Sequence, residues 1–303
     1  MSKVVLIGCG NVGMSYAYAL INQKTRVSEL VLVDLNKEKA TGEAMDLMHA
    51  VSFAPSKMQI HSGDYSDCNN ADIVCICAGV PQNGNETRTD LIQKNYAVFK
   101  SIISEINKTN FKGIYLIASN PLDVMTYLTQ KLSGFPYERV IGSGTILDTA
   151  RLRYLISEKI KISPKSIHGF VIGEHGDSEF IPWSNTLIGL DRASKHLTKN
   201  DMSEITYNVK NSAYDVINKK GNTSYGIGIC LVKITNAILD DSNKIFTVSS
   251  FNKEFGIYIG QPTVLNKKGA RKVLKLNLNN DDDLKFENSC HIIQDNINSL
   301  NLK

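Results

Sequence analysis

The sequence has no C-x-x-C pair, no basic run interleaved with aromatic residues and no apolar run of membrane-spanning length. Its six cysteines do not suggest a disulfide framework, and two of them, Cys75 and Cys77, stand in an apolar stretch where small buried residues are expected. The net charge is only +4, and lysine and arginine are scattered along the chain. A reducing compartment is therefore favoured, and a nucleic-acid-binding role has little support.

Neither a signal peptide nor an internal repeat nor a low-complexity linker is recognisable in the sequence. With 303 residues, of which 42% are hydrophobic and 21% charged, the composition is typical of a soluble globular protein large enough for two domains. We therefore expect a cytoplasmic protein that has no membrane association.

Strand and helix patterns alternate along the first half of the chain. Six short apolar segments predict strands at 3–8, 29–34, 58–62, 71–78, 113–119 and 139–142. Continuous apolar runs are typical of strands buried on both faces of a parallel sheet, and six strands make up two mononucleotide-binding halves. The pattern predicts an α/β fold with a doubly wound parallel sheet.

The pattern changes near residue 142, which predicts two domains, 1–142 and 143–303. In the second we expect a helix at 146–160, a strand at 166–172, helices at 201–218 and 225–240, antiparallel strands at 244–251, 256–260 and 273–278 with Pro262 between them, and a helix from about 281. The acidic run Asp281-Asp282-Asp283 suits the N-terminus of that last helix better than a metal site.

A glycine-rich turn follows the first predicted strand. It reads Gly8-Cys9-Gly10-Asn11-Val12-Gly13, a helix pattern follows it, and the second strand ends in Asp34, 21 residues beyond Gly13. Glycines let the backbone approach a pyrophosphate at a helix N-terminus, and the acid can accept hydrogen bonds from an adenosine ribose while repelling a 2′-phosphate. This fingerprint predicts that the chain binds NAD rather than NADP.

A histidine between two glycines closes the predicted strand of the second domain. In Gly173-Glu174-His175-Gly176-Asp177 the imidazole has little steric cover, and its ordinary pKa lies near neutrality, which suits acid–base catalysis. Asp148 and Arg151 lie three residues apart on one helical face, where they form either part of a site or an exposed ion pair.

Two further stretches lie where the strands of the parallel sheet end. The polar loop 80–90 contains Gly84 as a hinge candidate and stands where a lid over a ligand is expected. Asn120 follows the fifth strand and places an amide at the same edge.

Three motifs carry a resemblance that extends over nearly the whole chain. They are Ala118-Ser-Asn-Pro-Leu-Asp123, Ile141-Gly-Ser-Gly-Thr-Ile-Leu-Asp-Thr-Ala-Arg-Leu-Arg153 and Ile172-Gly-Glu-His-Gly-Asp177. With these motifs the sequence resembles the lactate/malate dehydrogenase family, in particular its bacterial lactate type. The resemblance implies a Rossmann domain followed by an α+β substrate-binding domain, NAD as cofactor, and interconversion of a 2-oxo acid and an L-2-hydroxy acid.

The resemblance also assigns roles to individual residues. It implies that His175 is the proton donor and acceptor, Asp148 its carboxylate partner, Arg151 the clamp for the substrate carboxylate, and Arg88 the cation that polarises the reacting carbonyl. Asn120 and Thr223 would complete the substrate pocket. The expected cofactor contacts are Gly8, Gly10, Val12, Gly13, Asp34, Lys39, Tyr65, Gly79, Asn120 and Ser143.

Gln82 distinguishes between the substrates that this family uses. The resemblance implies pyruvate when this position is glutamine and oxaloacetate when it is arginine, because a second carboxylate enclosed without a cation would cost several kcal/mol. The run Asn83-Gly84-Asn85 departs from the usual lactate-type pattern, which affects the expected lid stiffness and fine substrate scope. The alternatives are malate dehydrogenase, another L-2-hydroxy acid dehydrogenase, and a non-catalytic NAD-binding protein.

Arg153 and His168 fall where members activated by fructose 1,6-bisphosphate carry their effector residues. The same residue types also occur there in members without such activation, so both alternatives stay open. The resemblance further implies a homo-oligomer, a dimer or a tetramer, although the N-terminal arm of some tetrameric relatives is lacking. It places the activity in glycolysis and fermentation.

Overall fold

The computed structural model describes residues 2–80 and 88–300, with only the backbone of Arg88. The α-helices in this part of the chain are α1 (Asn11–Ile21), α2 (Lys37–Val51), α3 (Arg88–Ile106), α4 (Leu122–Ser133), α5 (Ile146–Ile160), α6 (Lys199–Lys220), α7 (Tyr225–Leu239) and α8 (Asn280–Asn298). The strands are β1 (Ser2–Ile7), β2 (Val27–Val33), β3 (Gln59–Ser62), β4 (Ile73–Ile76), β5 (Ile114–Ile117), β6 (Val140–Gly142), β7 (Ile167–His168), β8 (Leu187–Ile188), β9 (Asp191–Arg192), β10 (Lys244–Asn252), β11 (Ile257–Asn266) and β12 (Gly269–Val273).

The first six strands form a parallel sheet in the order β3-β2-β1-β4-β5-β6. Its order reverses between β1 and β4, which is the topological switch point of a doubly wound dinucleotide-binding fold. The predicted fold class is therefore confirmed.

The apolar runs of this sheet are buried on both faces. Along β1, Val4 and Leu6 pack in a cluster with side chains of α1, α2 and α7, while Val5 and Ile7 pack with side chains of α3, α4 and α8. Successive residues of a strand point to opposite faces, so a run without polar alternation needs helices on both sides. This double burial makes the sheet a rigid support for the loops at its edge.

The antiparallel strands of the second half extend the same sheet. β10 pairs with β6 through Ser249 and Gly142, β11 follows β10, and β12 forms the edge of a nine-stranded sheet. A small second sheet has the order β7-β8-β9. The sequence pattern identified the antiparallel strands but not their continuity with the parallel sheet.

The predicted strand at 166–172 is wrong beyond its first residues. Only Ile167–His168 pairs as a strand, and Ile172 makes an isolated bridge with Phe180. The backbone N–H and C=O groups of Val171 bind threonine side chains at the start of α5 instead of a neighbouring strand. Thr145 donates to the Val171 oxygen at 2.6 Å, and Thr149 accepts from its nitrogen at 2.9 Å. The apolar run is thus buried without a neighbouring strand.

The predicted strands at 256–260 and 273–278 also need correction. β11 continues through Pro262 to Asn266, since a proline lacks only the N–H and its carbonyl accepts from the Leu274 nitrogen at 2.8 Å. Gly269, with φ near +96°, closes a tight turn after Asn266, so the returning strand lies at Gly269–Val273 and precedes the predicted segment.

None of the helices within residues 2–80 and 88–300 combines the length and the apolar character that crossing a bilayer requires.

Candidate active site

The predicted cofactor residues gather at one edge of the parallel sheet. Each follows the carboxyl end of a strand: Gly8 follows β1, Asp34 follows β2, Gly79 comes after β4, Asn120 after β5 and Ser143 after β6. Because the strands are parallel, these loops share an edge, and the switch point between β1 and β4 lies in its middle. The structure thus brings these five predicted residues together at the place where open α/β sheets bind ligands.

The glycines of the first loop differ in the space around them. Gly8 has φ near +101°, and a Cβ atom added there would lie 2.6 Å from the backbone nitrogen of Ala78. A Cβ atom at Gly13 would collide with the carbonyl oxygen of Gly8, whereas one at Gly10 meets no atom of the described residues within 4 Å. Gly8 and Gly13 therefore allow the tight turn, and Gly10 leaves the space into which a pyrophosphate fits.

The N-terminus of α1 faces that space. Gly10 is its N-cap residue and carries no side chain to cap the first N–H groups, of which Val12 provides one. Uncapped N–H groups and the helix dipole together favour an anion. Asp34 is fixed nearby, since its carboxylate accepts from the nitrogens of Cys9 at 2.8 Å and Asn36 at 2.9 Å. These residues fit the diphosphate and ribose of NAD.

Asn95 on α3 ties two loops of this edge together, a role the sequence did not reveal. Its amide accepts from the nitrogen of Val80 at 2.9 Å and donates to the oxygen of Asn120 at 2.9 Å, and its side chain is almost fully buried. A single asparagine in a long amphipathic helix gives no sequence signal of such a contact. Asn95 also lies 3.1 Å from the position of a Cβ atom at Gly79, which keeps that position small.

His175, Asp148 and Arg151 meet around one carboxylate. Asp148 Oδ2 lies 2.8 Å from His175 Nδ1, and Arg151 Nη1 donates to Asp148 Oδ1 at 2.7 Å. The Asp148 side chain is 2% exposed, while that of His175 is 27% exposed. With Nδ1 held by Asp148, the ring nitrogen Nε2 is the one that can exchange a proton with a substrate.

Burial and pairing act in opposite directions on this pair. Burial alone lowers the pKa of His175. The charge and the hydrogen bond of Asp148 raise this pKa by more than burial lowers it, so that the net value is about 9. Burial likewise raises the pKa of Asp148, and the charges and hydrogen bonds of His175 and Arg151 outweigh it, so the net shift is downward. At neutral pH the pair is therefore an imidazolium and a carboxylate.

The loop that carries His175 is anchored by residues outside the predicted set. Asp123 accepts from the backbone nitrogen of His175 at 2.8 Å and from the Ser249 hydroxyl at 2.5 Å. Ser289 on α8 accepts from the Glu174 nitrogen at 2.6 Å. Asp123 closes one of the three quoted motifs, which was its only sequence signal. The loop is thus fixed from α4, β10 and α8.

Gly173 joins the same loop to the large sheet. It has φ near +101°, and its nitrogen and oxygen exchange hydrogen bonds with Gly260 of β11 at 2.9 Å and 3.0 Å. A Cβ atom on Gly260 would lie 2.7 Å from the Gly173 oxygen. Two glycines are therefore required for this close approach.

The remaining predicted residues lie on other elements of the fold or outside the described residues. Thr223 precedes α7, whose first turn packs on α5 so closely that a Cβ atom on Gly226 would lie 2.7 Å from Leu147. Lys39 is exposed on α2, and Tyr65 is partly buried at the start of a short 3₁₀ helix after β3. Gln82 and the side chain of Arg88 lie outside the described residues.

The two predicted effector residues lie on α5 and on β7. The Arg153 guanidinium donates to the oxygen of Gly169 at 3.3 Å and lies over the ring of Phe170, 5.7 Å from its centre. His168 is exposed on β7. Arg153 lies two residues beyond Arg151 and therefore on a different face of α5 from the arginine that binds Asp148.

Two family models match the chain in sequence. Residues 2–142 match the NAD-binding domain of lactate/malate dehydrogenases, and residues 145–301 match their alpha/beta C-terminal domain. The chain belongs to the lactate/malate dehydrogenase family. The family predicted from the three motifs is confirmed, as is NAD as its cofactor.

Members of the family with known names and structures agree. The chain is 48% identical to L-lactate dehydrogenase 1 of Bacillus cereus over 97% of both chains. Its structure is similar to a lactate dehydrogenase from a Medee basin deep-sea metagenome library, with a TM-score of 0.96, 46% identity and 98% of each chain covered. It is also similar to the minor L-lactate dehydrogenase of Enterococcus mundtii in the ligands-bound form, with a TM-score of 0.97, 38% identity, and 100% of this chain and 99% of that chain covered.

The different surroundings of Gly8 and Gly10 predict different effects of the same substitution. Gly8→Ala should lower the free energy of unfolding by roughly 1–3 kcal/mol, because an L-residue is strained at this φ. Gly10→Ala should leave the melting temperature unchanged but weaken NADH binding, since its methyl group enters only the cofactor space. Thermal unfolding and NADH fluorescence titration of both variants test this pair. Equal losses of stability would contradict it.

Proposed function

We propose that the protein is an L-lactate dehydrogenase, which reduces pyruvate to L-lactate with NADH and catalyses the reverse reaction with NAD. The observation that carries the proposal is the buried carboxylate of Asp148, which binds the acid–base histidine and an arginine at the same time. NAD binding alone requires no such group. The names of the relatives above support the same activity.

His175 supplies the proton in this reaction. Reduction of a 2-oxo acid places negative charge on the carbonyl oxygen, and a protonated imidazole can neutralise that charge by proton transfer. NADH supplies the hydride when it is bound. Asp148 orients the ring and stabilises its protonated form.

Arg151 holds the substrate by its carboxylate. Only Nη1 is engaged with Asp148, and a guanidinium has five N–H donors, so a planar fork remains for a second carboxylate. Binding there fixes the carbonyl relative to His175. Arg88 would stabilise the charge on the carbonyl oxygen, and Asn120 and Thr223 would line the pocket. Residues 1–142 and 143–303 would be the cofactor and substrate domains.

The proposal extends to assembly and regulation. The protein would be a cytoplasmic homo-oligomer, a dimer or a tetramer. Whether fructose 1,6-bisphosphate activates it stays open, and an activating bisphosphate would bind at Arg153 and His168. Arg153 already donates to Gly169, so a bisphosphate would have to replace that contact.

A substrate panel tests the function directly. NADH oxidation should be fast with pyruvate and slow with oxaloacetate and branched 2-oxo acids. The same panel with fructose 1,6-bisphosphate decides between activation, which lowers the KM for pyruvate, and no regulation, which leaves it unchanged. His175→Asn should bind NADH normally and turn over roughly 10²–10⁴-fold more slowly, the usual contribution of a general acid. Normal turnover of that variant would show that another group donates the proton.

The pKa of His175 predicts a pH dependence. Since the protonated form delivers the proton, kcat/KM for pyruvate should stay level through neutral pH and fall above pH 9, whereas lactate oxidation should rise toward pH 9. In Asp148→Asn burial still lowers the pKa of His175 and the opposing charge is gone, so the fall should begin at lower pH. A fall at the same pH in both proteins would contradict the pairing.

Gln82→Arg should shift the substrate preference toward oxaloacetate. The new cation would pair with the second carboxylate, so the ratio of kcat/KM for oxaloacetate to that for pyruvate should rise by at least about tenfold, equivalent to about 1.4 kcal/mol. Gln82→Leu is the matched control, since it changes shape without adding charge and should not improve oxaloacetate reduction. An unchanged ratio in Gln82→Arg would show that this position does not select the substrate.

A further inference from the structure

A second buried carboxyl group stands beside the Asp148–His175 pair. Glu179 lies four residues beyond His175 and is 4% exposed. One oxygen of Glu179, one of Asp148 and a ring nitrogen of His175 all lie within 4.8 Å of one another. Nothing in the proton transfer described above uses this acid.

The backbone fixes Glu179 at this position. Its nitrogen donates to the oxygen of Gly176 at 3.2 Å, and the next residue, Phe180, exchanges two backbone hydrogen bonds with Ile172 at 2.9 Å and 3.0 Å. The turn that presents His175 therefore returns at once and places Glu179 on the same side. The backbone at Glu179 is therefore fixed, and its side chain is buried.

The charges around Glu179 determine the form in which it is present. Asp148 already carries the negative charge that pairs with His175 and Arg151, and a second carboxylate beside it would be both desolvated and repelled. Burial and the charge of Asp148 raise the pKa of Glu179 well above its usual value, and His175 and Arg151 oppose them only in part. Their oxygens lie within 4.8 Å of one another, and a hydrogen bond from a protonated Glu179 to Asp148 would act in the same direction. The burial of Glu179 and the neighbouring charge of Asp148 thus both favour its protonated, neutral form.

We infer that Glu179 is a positioning residue for the proposed reaction: as a neutral acid it donates a hydrogen bond to Asp148 and keeps that carboxylate directed at His175. The inference rests on the proposed function, because the site then keeps one net positive charge from Asp148, protonated His175 and Arg151. That charge attracts a substrate carboxylate, which an ionised Glu179 would repel.

Other groups contribute to the electrostatic environment of this cluster and must be unchanged in a test. Besides Glu179, the titratable and charged side chains of the described residues that act on His175 or its partners are Asp148 and Arg151 from α5, Asp123 from α4 and Cys230 from α7.

Two substitutions in the full-length protein distinguish three roles of Glu179: a neutral hydrogen-bond donor, a charged group, and a side chain that only fills space. Glu179→Gln retains an N–H donor and cannot ionise, whereas Glu179→Leu fills a similar volume without a donor. Three measurements are made: the NMR titration of His175, identified by comparison with His175→Asn; the pH profile of kcat/KM for pyruvate; and the melting temperature.

We expect Glu179→Gln to leave the titration of His175 and the pH profile unchanged. Glu179→Leu should move the titration and the pH profile to higher pH, because Asp148 loses a hydrogen-bond donor and its full charge then acts on His175. The same variant should lower kcat roughly three- to tenfold, the effect of one hydrogen bond. Binding of oxamate, an unreactive monoanion, should be retained in Glu179→Gln.

Three results would overturn the inference. A shift of the Glu179→Gln titration to lower pH would mean that Glu179 carries a charge in the native protein. An unshifted titration in Glu179→Leu would mean that it does not act on Asp148, and equal losses of melting temperature in both variants without a shift would make its role structural. Failure of the wild-type protein to reduce pyruvate would overturn the proposed function instead, and the NMR titrations would still decide the part played by Glu179.

Discussion

The ionised carboxylate of Asp148 is the constraint on which the site depends. Its side chain is almost completely removed from water, and a buried charge without partners would cost several kcal/mol. His175 and Arg151 together provide the compensation, one on each oxygen. The contact with Asp148 also keeps the imidazole protonated, and it engages only one nitrogen of the Arg151 guanidinium. The same contacts therefore stabilise the buried charge and prepare His175 as a proton donor.

The geometry around this carboxylate comes from three levels of structure. Asp148 and Arg151 share a face of α5, and α5 is tied by Thr145 and Thr149 to the segment that leads into the histidine loop. Asp123 of α4 then fixes the backbone of His175. Asp148 and His175 are far apart in sequence, so a hydrogen bond of 2.8 Å between them needs this rigid surrounding structure.

Much of this arrangement was predictable from local sequence. The glycine turn, Asp34 and the apolar runs each have a period or spacing that physical rules connect to a parallel sheet with a nucleotide edge, and i,i+3 spacing placed Asp148 beside Arg151. The false strand at 166–172 shows where such rules fail: an apolar run indicates burial, but threonine side chains can satisfy its backbone as a strand partner would. Asn95, Asp123 and Glu179 act through contacts between distant segments, and no spacing within one segment encodes such contacts.

The exchange of hydrogen bonds between Gly173 and Gly260 connects the proton donor to the cofactor edge mechanically. β11 belongs to the same hydrogen-bonded sheet as the strands that carry Gly8 and Asp34, so the histidine loop and the nucleotide loops are parts of one frame. Thermal displacement of that frame carries both along together. The position of the imidazole relative to the nucleotide loops is therefore set jointly by the sheet and by the contacts of the histidine loop with α4, α5 and α8.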